Sequence, residues 1–272
     1  MGKIADRKDL LISHLRKCGT LSVADIAAYF VISLPTARRM CAQLEHEQRV
    51  MRTHGGIRFV PSVDTPYAFD AIDGEFNKEK ADIARNASSL VKDNQIIFLE
   101  SGTTIKQFAL ALANRIQDGR LNNVSVYTNS LVNLEILEKV CKVTLIGGIY
   151  RPERRDFCGF LSERLLRTLR FNACFIGADG LSINDGIMAM DVDTVRVDEL
   201  LIERSTESYI LVHSGKFNKH SFISYCAVRE VSAIITDSQL PPETVSEYKN
   251  AGVNLICTQP AVDNLAKTFS TA

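Results

Sequence analysis

The spacing of apolar residues changes character about a quarter of the way along this 272-residue chain, and the change separates two kinds of element. Asp9, Leu10, Leu11, Leu15 and the apolar positions around them predict a first helix that ends at Cys18-Gly19. Ser22 is a natural N-cap for a second helix, Val23–Phe30, with Ile26, Ala27 and Phe30 facing inward. A three-residue turn, Val31-Ile32-Ser33, leads into a third helix, capped by Ser33 and with Pro35 in its first turn, where proline costs no hydrogen bond. On that helix Ala37, Met40, Cys41, Leu44 and Gln48 share one face, leaving Thr36, Arg38, Arg39 and Gln43 on the others. Val50–Arg52, the turn His54-Gly55-Gly56 and Ile57–Val60 read as a small hairpin. Helices joined by a tight turn and followed by a hairpin make a winged helix-turn-helix.

Pro61–Asp73 carries two prolines and no helical period, so it reads as a linker. Beyond it, Phe76–Lys92 predicts an amphipathic helix with Ile83, Ala87, Leu90 and Val91 inward. Seven short β-branched runs follow: Ile96–Leu99, Val124–Tyr127, Val143–Ile146, Cys174–Ile176, Tyr209–Val212, Ala233–Thr236 and Asn254–Cys257. Helical stretches fall between them, near Thr103–Arg115, Leu131–Lys139, Glu163–Leu169, Val192–Glu207 and Thr244–Ala251. Strands apolar on both faces and joined by helices predict an α/β domain with a mostly parallel sheet covered on two sides. The expected division is a head over 3–58, a linker over 59–75 and a body over 76–258.

Charge sharpens this division. Residues 1–60 hold 10 Lys/Arg and 5 Asp/Glu, a net of +5, and because the chain holds 32 of each class the remainder nets −5. A basic head on an acidic body is the asymmetry expected when only one module meets a polyanion. In a duplex groove, Thr36, Arg38, Arg39 and Gln43 would lie near base edges, with Ser33 and Pro35 at the helix start also counted among the DNA-binding residues. Arg52 and Arg58 of the wing, with Lys3 and Lys8, would meet phosphates, and His54 of the wing turn is a further DNA-binding candidate. No run approaches the ~18 apolar residues of a membrane span, and Met1–Lys8 lacks a signal-peptide pattern, so cytoplasmic residence and no membrane contact are expected. The seven cysteines are scattered, without C-x-x-C pairs or histidines at ligand spacing, so reduced thiols are expected and no metal or cofactor.

In open α/β sheets ligands bind beyond the carboxyl ends of the strands. There the sequence places Glu100-Ser101-Gly102-Thr103-Thr104, then Thr128-Asn129-Ser130, Gly147-Gly148, Gly177-Ala178-Asp179-Gly180 and Ser214-Gly215-Lys216. Any one is an ordinary cap or turn; five in succession predict a pocket for a polar ligand. The first resembles a phosphate or carboxylate cradle at a helix start, and Lys216 offers a point charge.

Several of these motifs, in this order, resemble the DeoR family of transcriptional regulators along residues 3 to about 257. Ser33-Leu34-Pro35-Thr36-Ala37-Arg38-Arg39 resembles its recognition helix and Arg52-Thr53-His54-Gly55-Gly56 its wing. Ser101-Gly102-Thr103-Thr104, Thr128-Asn129-Ser130-Leu131, Leu145-Ile146-Gly147-Gly148, Phe175-Ile176-Gly177-Ala178-Asp179-Gly180 and Lys216-Phe217 resemble its sugar-phosphate sensor. The resemblance implies a body related in fold to ribose-5-phosphate isomerases and glucosamine-6-phosphate deaminases. It also implies an oligomeric repressor, without catalytic residues, released from operator DNA by a phosphorylated sugar or related metabolite. Three positions depart from the family pattern: Met40 stands where an acid is usual, Asp198 where a lysine is common, and His213 where an aspartate tends to be. His213 reads as a strand-end ring bonded to backbone. An isomerase or deaminase is the rival reading; Glu100, Asp179, Asp191 and Asp193 are candidate bases, but no spacing singles one out. A DNA-binding protein with a vestigial pocket is a third.

Overall fold

The computed structural model describes residues 7–8, 10–12, 14–15, 20–46, 50–53, 55–59 and 68–258. The chain divides into two compact units, Met1–Glu75 and Phe76–Ala272.

In the first unit residues 7–8, 10–12 and 14–15 are helical, with Leu11, Ile12 and Leu15 buried. Strand β1 (Thr20–Ser22) precedes α1 (Val23–Phe30) and α2 (Leu34–His46), and β2 (Val50–Thr53) and β3 (Gly56–Phe59) form the wing. A capping box starts α1: Ser22 Oγ accepts from the Asp25 amide at 3.1 Å, and the Asp25 carboxylate accepts from the Ser22 amide at 3.2 Å. Val31 ends that helix in the left-handed region, φ 52°, and Ser33 Oγ accepts from the Thr36 amide at 3.3 Å to start α2. Ala37, Met40, Cys41 and Leu44 close over Ile26, Val50 and Ile57 in one apolar cluster. Gln48, His54, Lys3, Val60 and the Cys18-Gly19 helix end lie outside the described residues.

Strand β1 was not foreseen, because three residues show no alternation and Ser22 already had a role as a cap. It pairs antiparallel with β3, in sheet order β1-β3-β2, with Ser22 opposite Gly56. The approach is close enough that a Cβ on Gly56 would lie 2.2 Å from the Leu21 carbonyl oxygen, so only glycine fits. The stretch expected to be a linker also holds a one-turn helix, α3 (Phe69–Ile72), seated by buried Phe69. Four residues are too few to show a helical period.

All seven apolar runs of the body become strands of one parallel sheet: β4 (Ile96–Leu99), β5 (Ser125–Thr128), β6 (Lys142–Leu145), β9 (Phe171–Ile176), β12 (Ser205–Leu211), β14 (Ala233–Thr236) and β15 (Leu255–Cys257). Their order is β15-β14-β12-β9-β4-β5-β6. Alternate residues of one strand enter opposite clusters. Phe98, Cys174, Ile176 and Ile210 pack on one face; Ile97, Leu99, Phe175 and Leu211 pack on the other. Helices α4 (Asn77–Ser88), α5 (Thr103–Gln117), α6 (Leu131–Leu137), α7 (Phe160–Leu166), α8 (Val192–Arg204) and α9 (Pro242–Asn250) connect the strands.

Two corrections concern boundaries. Helix α4 stops at Ser88 rather than reaching Lys92, leaving Leu90 only half-buried, and Ser205–Glu207, read as helical, begin β12 in register with β9. Pairing with a buried neighbour strand outweighs the helical preference of three residues. The antiparallel additions β7 (Ile149–Arg151), β8 (Asp156–Cys158), β10 (Gly180–Ser182), β11 (Gly186–Ala189) and β13 (Ile223–Cys226) were not anticipated. They form a β7–β8 hairpin and a sheet of order β10-β11-β13.

Candidate functional site

On the head, Thr36, Arg38, Arg39 and Gln43 are exposed along α2, opposite its buried face, with Ser33 and Pro35 exposed at its start. Arg52 Nη1 donates to the Arg38 carbonyl oxygen at 3.4 Å, which ties wing strand β2 to the helix. Arg58 takes its backbone place in β3.

In the body, the carboxyl ends of the strands gather an array of charges. Arg151, at the end of β7, forms two parallel bonds with Asp156 of β8, Nε to Oδ1 at 2.8 Å and Nη2 to Oδ2 at 2.7 Å. Its Nη1 donates to Asp191 Oδ1 at 2.7 Å, and Asp191 caps α8 by accepting from the Thr194 amide. Arg154 Nη2 lies 2.8 Å from Asp191 and 3.8 Å from Asp179, and Lys216 Nζ is 3.7 Å from Asp179. Asp179 is fixed by the Met190 amide at 3.0 Å. Bidentate geometry and burial make the Arg151–Asp156 pair the firm one, while the pairs to Asp179 are longer and looser.

A hydroxyl stands between two acids. Ser101 Oγ is 2.8 Å from Glu100 Oε1 and 2.7 Å from Asp156 Oδ2, and it carries one proton. Asp156, fully buried and bridged by Arg151 through both its oxygens, accepts that hydroxyl hydrogen bond. Glu100 is left to donate its own proton to Ser101 Oγ, while its Oε2 accepts from the Gly177 amide at 3.4 Å. Burial pushes the Glu100 carboxyl up to about 7, and the nearby Asp156 charge adds to it. Burial likewise raises the Asp198 carboxyl well above the usual range, helped by Glu100, and its Oδ1 has no hydrogen-bond partner. For Asp191 burial also acts upward, but Arg154, the Thr194 amide and Arg151 outweigh it and hold the carboxyl below the usual range. The arginine responds in kind: burial works against the Arg151 charge, and Asp156 and Asp191 outweigh it and hold the proton more firmly than usual.

The residues expected at the site divide into two groups. Ser101, Asp179 and Lys216 join the charged array. Gly102, at φ +116°, precedes α5, whose first residues are Thr103 and Thr104. Others are taken up by the scaffold: Thr128 Oγ1 donates to the Leu99 carbonyl, Asn129 Nδ2 donates to the Phe157 carbonyl, and Ser130 caps α6. The Gly147 carbonyl accepts from Ser162 Oγ, and a Cβ on Gly148 would lie 2.3 Å from the Cys158 carbonyl oxygen. Sequence reasoning missed Arg151, Arg154 and Asp156; the signal was the charge cluster Arg151-Pro152-Glu153-Arg154-Arg155-Asp156, set between two apolar runs. His213 departs from the expected backbone-bonded ring. It is buried and stacked on Phe76 at 4.2 Å with Nδ1 unbonded, and burial, with Lys216, Lys80 and Lys219, lowers it to about 2. A neutral ring stacks on an apolar one without a desolvation cost for charge.

Among the described residues no group of three or more His, Cys, Asp or Glu is placed to hold a metal, six cysteines are free, and no helix is long and apolar enough to cross a membrane.

A basic helix-turn-helix joined to a parallel α/β body with a charged site at its strand ends is the architecture of a ligand-responsive DNA-binding regulator. The DeoR-like helix-turn-helix domain matches residues 7–63 and the DeoR C-terminal sensor domain matches residues 75–238; the chain belongs to this family. It is 32% identical to the lactose phosphotransferase system repressor of Lactococcus lactis subsp. lactis, over 89% of this chain and 94% of that protein. The putative aga operon transcriptional repressor of Escherichia coli O157:H7 is 25% identical, over 93% of each chain. The regulator IolR of Bacillus subtilis is 26% identical over 91% of this chain and 95% of its own. Ribose 5-phosphate isomerase A from Methanocaldococcus jannaschii superposes with a TM-score of 0.38 at 20% identity, over 51% of this chain and 53% of that one, a likeness too slight to argue from.

Proposed function

We propose that this chain represses a carbohydrate-metabolism operon and is released from its operator when a phosphorylated sugar, or a related metabolite, binds the body. Residues 3–58 would read DNA, 59–75 join the modules, and 76–258 sense the ligand and associate. The observation that carries the reading is the charged array at the strand ends, in a chain whose head exposes Arg38 and Arg39 on a helix-turn-helix. Lys216, held only at 3.7 Å from Asp179, is the cation an anionic ligand would most readily recruit, with Arg154 beside it and the Gly102–Thr104 start of α5 nearby. Glu100, Ser101 and Asp179 are polar partners for sugar hydroxyls. That the relatives are named as repressors of lactose and aga systems supports this reading over an enzymatic one.

Mechanistically, paired heads on one oligomer grip two operator half-sites, with Arg38, Arg39, Thr36 and Gln43 near base edges. Ligand favours a subunit arrangement whose head spacing mismatches the operator, and affinity falls by the coupling free energy, about 1–3 kcal/mol in typical cases. Fluorescence polarisation on the DNA upstream of the chain's own operon, titrated with hexose and pentose phosphates, glycerol 3-phosphate and inorganic phosphate, tests it. At least one sugar phosphate should weaken binding ~5–150-fold. A panel with no effect removes the sensing half, and no binding to any duplex removes the whole.

A further inference from the structure

We propose that the apolar face formed by Ile149, Tyr150, Phe160, Leu161, Leu165 and Val192 is where a second copy of this chain docks. These side chains are 68%, 42%, 69%, 66%, 44% and 42% exposed, and no other part of the body leaves so many large apolar groups open among the described residues. They are contiguous. Gly159, the residue before Phe160, lies against Ile149; β7 carries Ile149 and Tyr150; and an Arg196–Glu163 ion pair joins α8, which begins at Val192, to α7. Along α7, Phe160, Leu161 and Leu165 point out while Ser162 and Leu166 point in.

Area and charge select the occupant. Taking ~150–250 Å² for a fully exposed aromatic side chain and less for an aliphatic one, the face opens on the order of 500 Å², within the upper range of what a monomer leaves bare. It is also most of the ~800 Å² each partner contributes to a standard interface. Exposed Glu153, Arg164, Asp193 and Arg196 around it balance in sign. A neutral, mixed rim suits a two-fold contact in which the same patch meets itself. The proposal rests on the proposed function only for its consequence. Tyr150 precedes Arg151 and Val192 follows Asp191, so the 2.7 Å Arg151–Asp191 bond links the two sides of the face to the charged array. A ligand that disturbs that bond shifts the interface.

The test uses the full-length chain without ligand or DNA. Light scattering and hydrogen exchange are followed on dilution, and amides over 149–151 and 160–166 should exchange faster as the assembly dissociates. Leu161→Glu and Leu161→Lys should each weaken self-association roughly 30-fold or more. Leu110→Glu, on α5 against the opposite face of the sheet, should leave the mass unchanged. A wild-type chain monomeric at every concentration overturns the proposal. So does protection that dilution leaves untouched, as cover by the chain's own C-terminal residues would give, or a Leu161→Glu chain of wild-type mass. A metabolite panel without effect leaves this result standing, so the two readings fail separately.

Discussion

Replacing Glu100 with glutamine converts a proton-dependent hydrogen-bond array into a fixed one. In the wild type, Ser101 donates its one hydroxyl hydrogen bond to Asp156, so a bond between Glu100 Oε1 and Ser101 Oγ calls for a proton on Glu100, while Oε2 accepts from the Gly177 amide. A glutamine in the same rotamer reproduces this: its amide N–H donates to Ser101 Oγ, and its carbonyl accepts from Gly177. The sign follows from linkage. The Glu100 carboxyl is raised from 4.5 to about 7 in the folded state, so between those values the native chain binds more protons than the unfolded one. Stability from this group is complete below about pH 4.5 and is lost as pH rises through about 7. Each pH unit in the window costs ~1.36 kcal/mol, a ceiling of about 3 kcal/mol, and sharing of protons with nearby acids brings the expectation to about 2 kcal/mol. Urea unfolding of both chains from pH 4.5 to 8 gives the difference curve, from which His213 and every other common group largely cancels. The variant should match the wild type at the acid end and gain about 2 kcal/mol by pH 8. A difference that is flat, or that falls with pH, refutes the protonated Glu100.

Other substitutions probe the remaining elements. Arg38→Ala with Arg39→Ala, both exposed, should abolish operator binding in a mobility shift while thermal stability changes by no more than ~0.5 kcal/mol; undiminished binding refutes the assignment of α2. For every DNA phosphate that a variant no longer neutralises, the slope of log affinity against log salt should also flatten by about 0.9. Arg151→Met strands fully buried Asp156 without its cation, so chemical denaturation should show a loss of about 3–5 kcal/mol; a loss under ~1 kcal/mol would mean the pair is not buried as described. Gly56→Ala drives a methyl into the Leu21 carbonyl, where only backbone could yield, and should cost the head about 1–3 kcal/mol. Hydrogen exchange should register that loss in β1 and β3 and leave β4 and β9 unchanged.

The large sheet was legible because its inner strands are buried on both faces, as in the run Ile97–Leu99, and the edge strands β6 and β15, only partly buried, still carry short apolar runs. Helix α2 was legible for a different reason: Ser33 and Pro35 fix its start, and four core residues at helical spacing fix its face. The charged array was only half legible. Ser101, Asp179 and Lys216 follow strands directly, so strand ends predict their location. Arg151 and Asp156 sit on a three-residue-per-strand hairpin whose pairing comes from their mutual salt bridge and its surroundings, not from any apolar period. Glu100 could be suspected as a strand-end acid, but its raised carboxyl comes first from its own burial and then from the nearby Asp156 charge, and chain order does not encode these tertiary surroundings. His213 failed for the converse reason: its partner, Phe76, lies far back in sequence and carries no periodic signal.

The two arginines of the array are not equivalent, and the difference bears on how a ligand can act. Arg151 is held by two short parallel bonds to an acid with no solvent exposure, and withdrawing it would strand a buried charge. Arg154 reaches Asp179 at 3.8 Å and Lys216 reaches it at 3.7 Å, beyond good hydrogen-bond length. Under the proposed function, an incoming anion meets Lys216 first, at little cost, and reaches Arg154 only by weakening its 2.8 Å pair with Asp191, while the Arg151–Asp156 pair stays in place. Asp191 feels the exchange, because it is bonded to both arginines and caps α8. Drawing Arg154 away leaves Asp191 to Arg151 and to the helix start alone, so the motion is passed to α8 and the β7–β8 hairpin rather than spread through the sheet. A rigid sheet with one loosely paired corner lets the energy of a small ligand act on a few residues beside the proposed interface, instead of being spent on deforming a packed core.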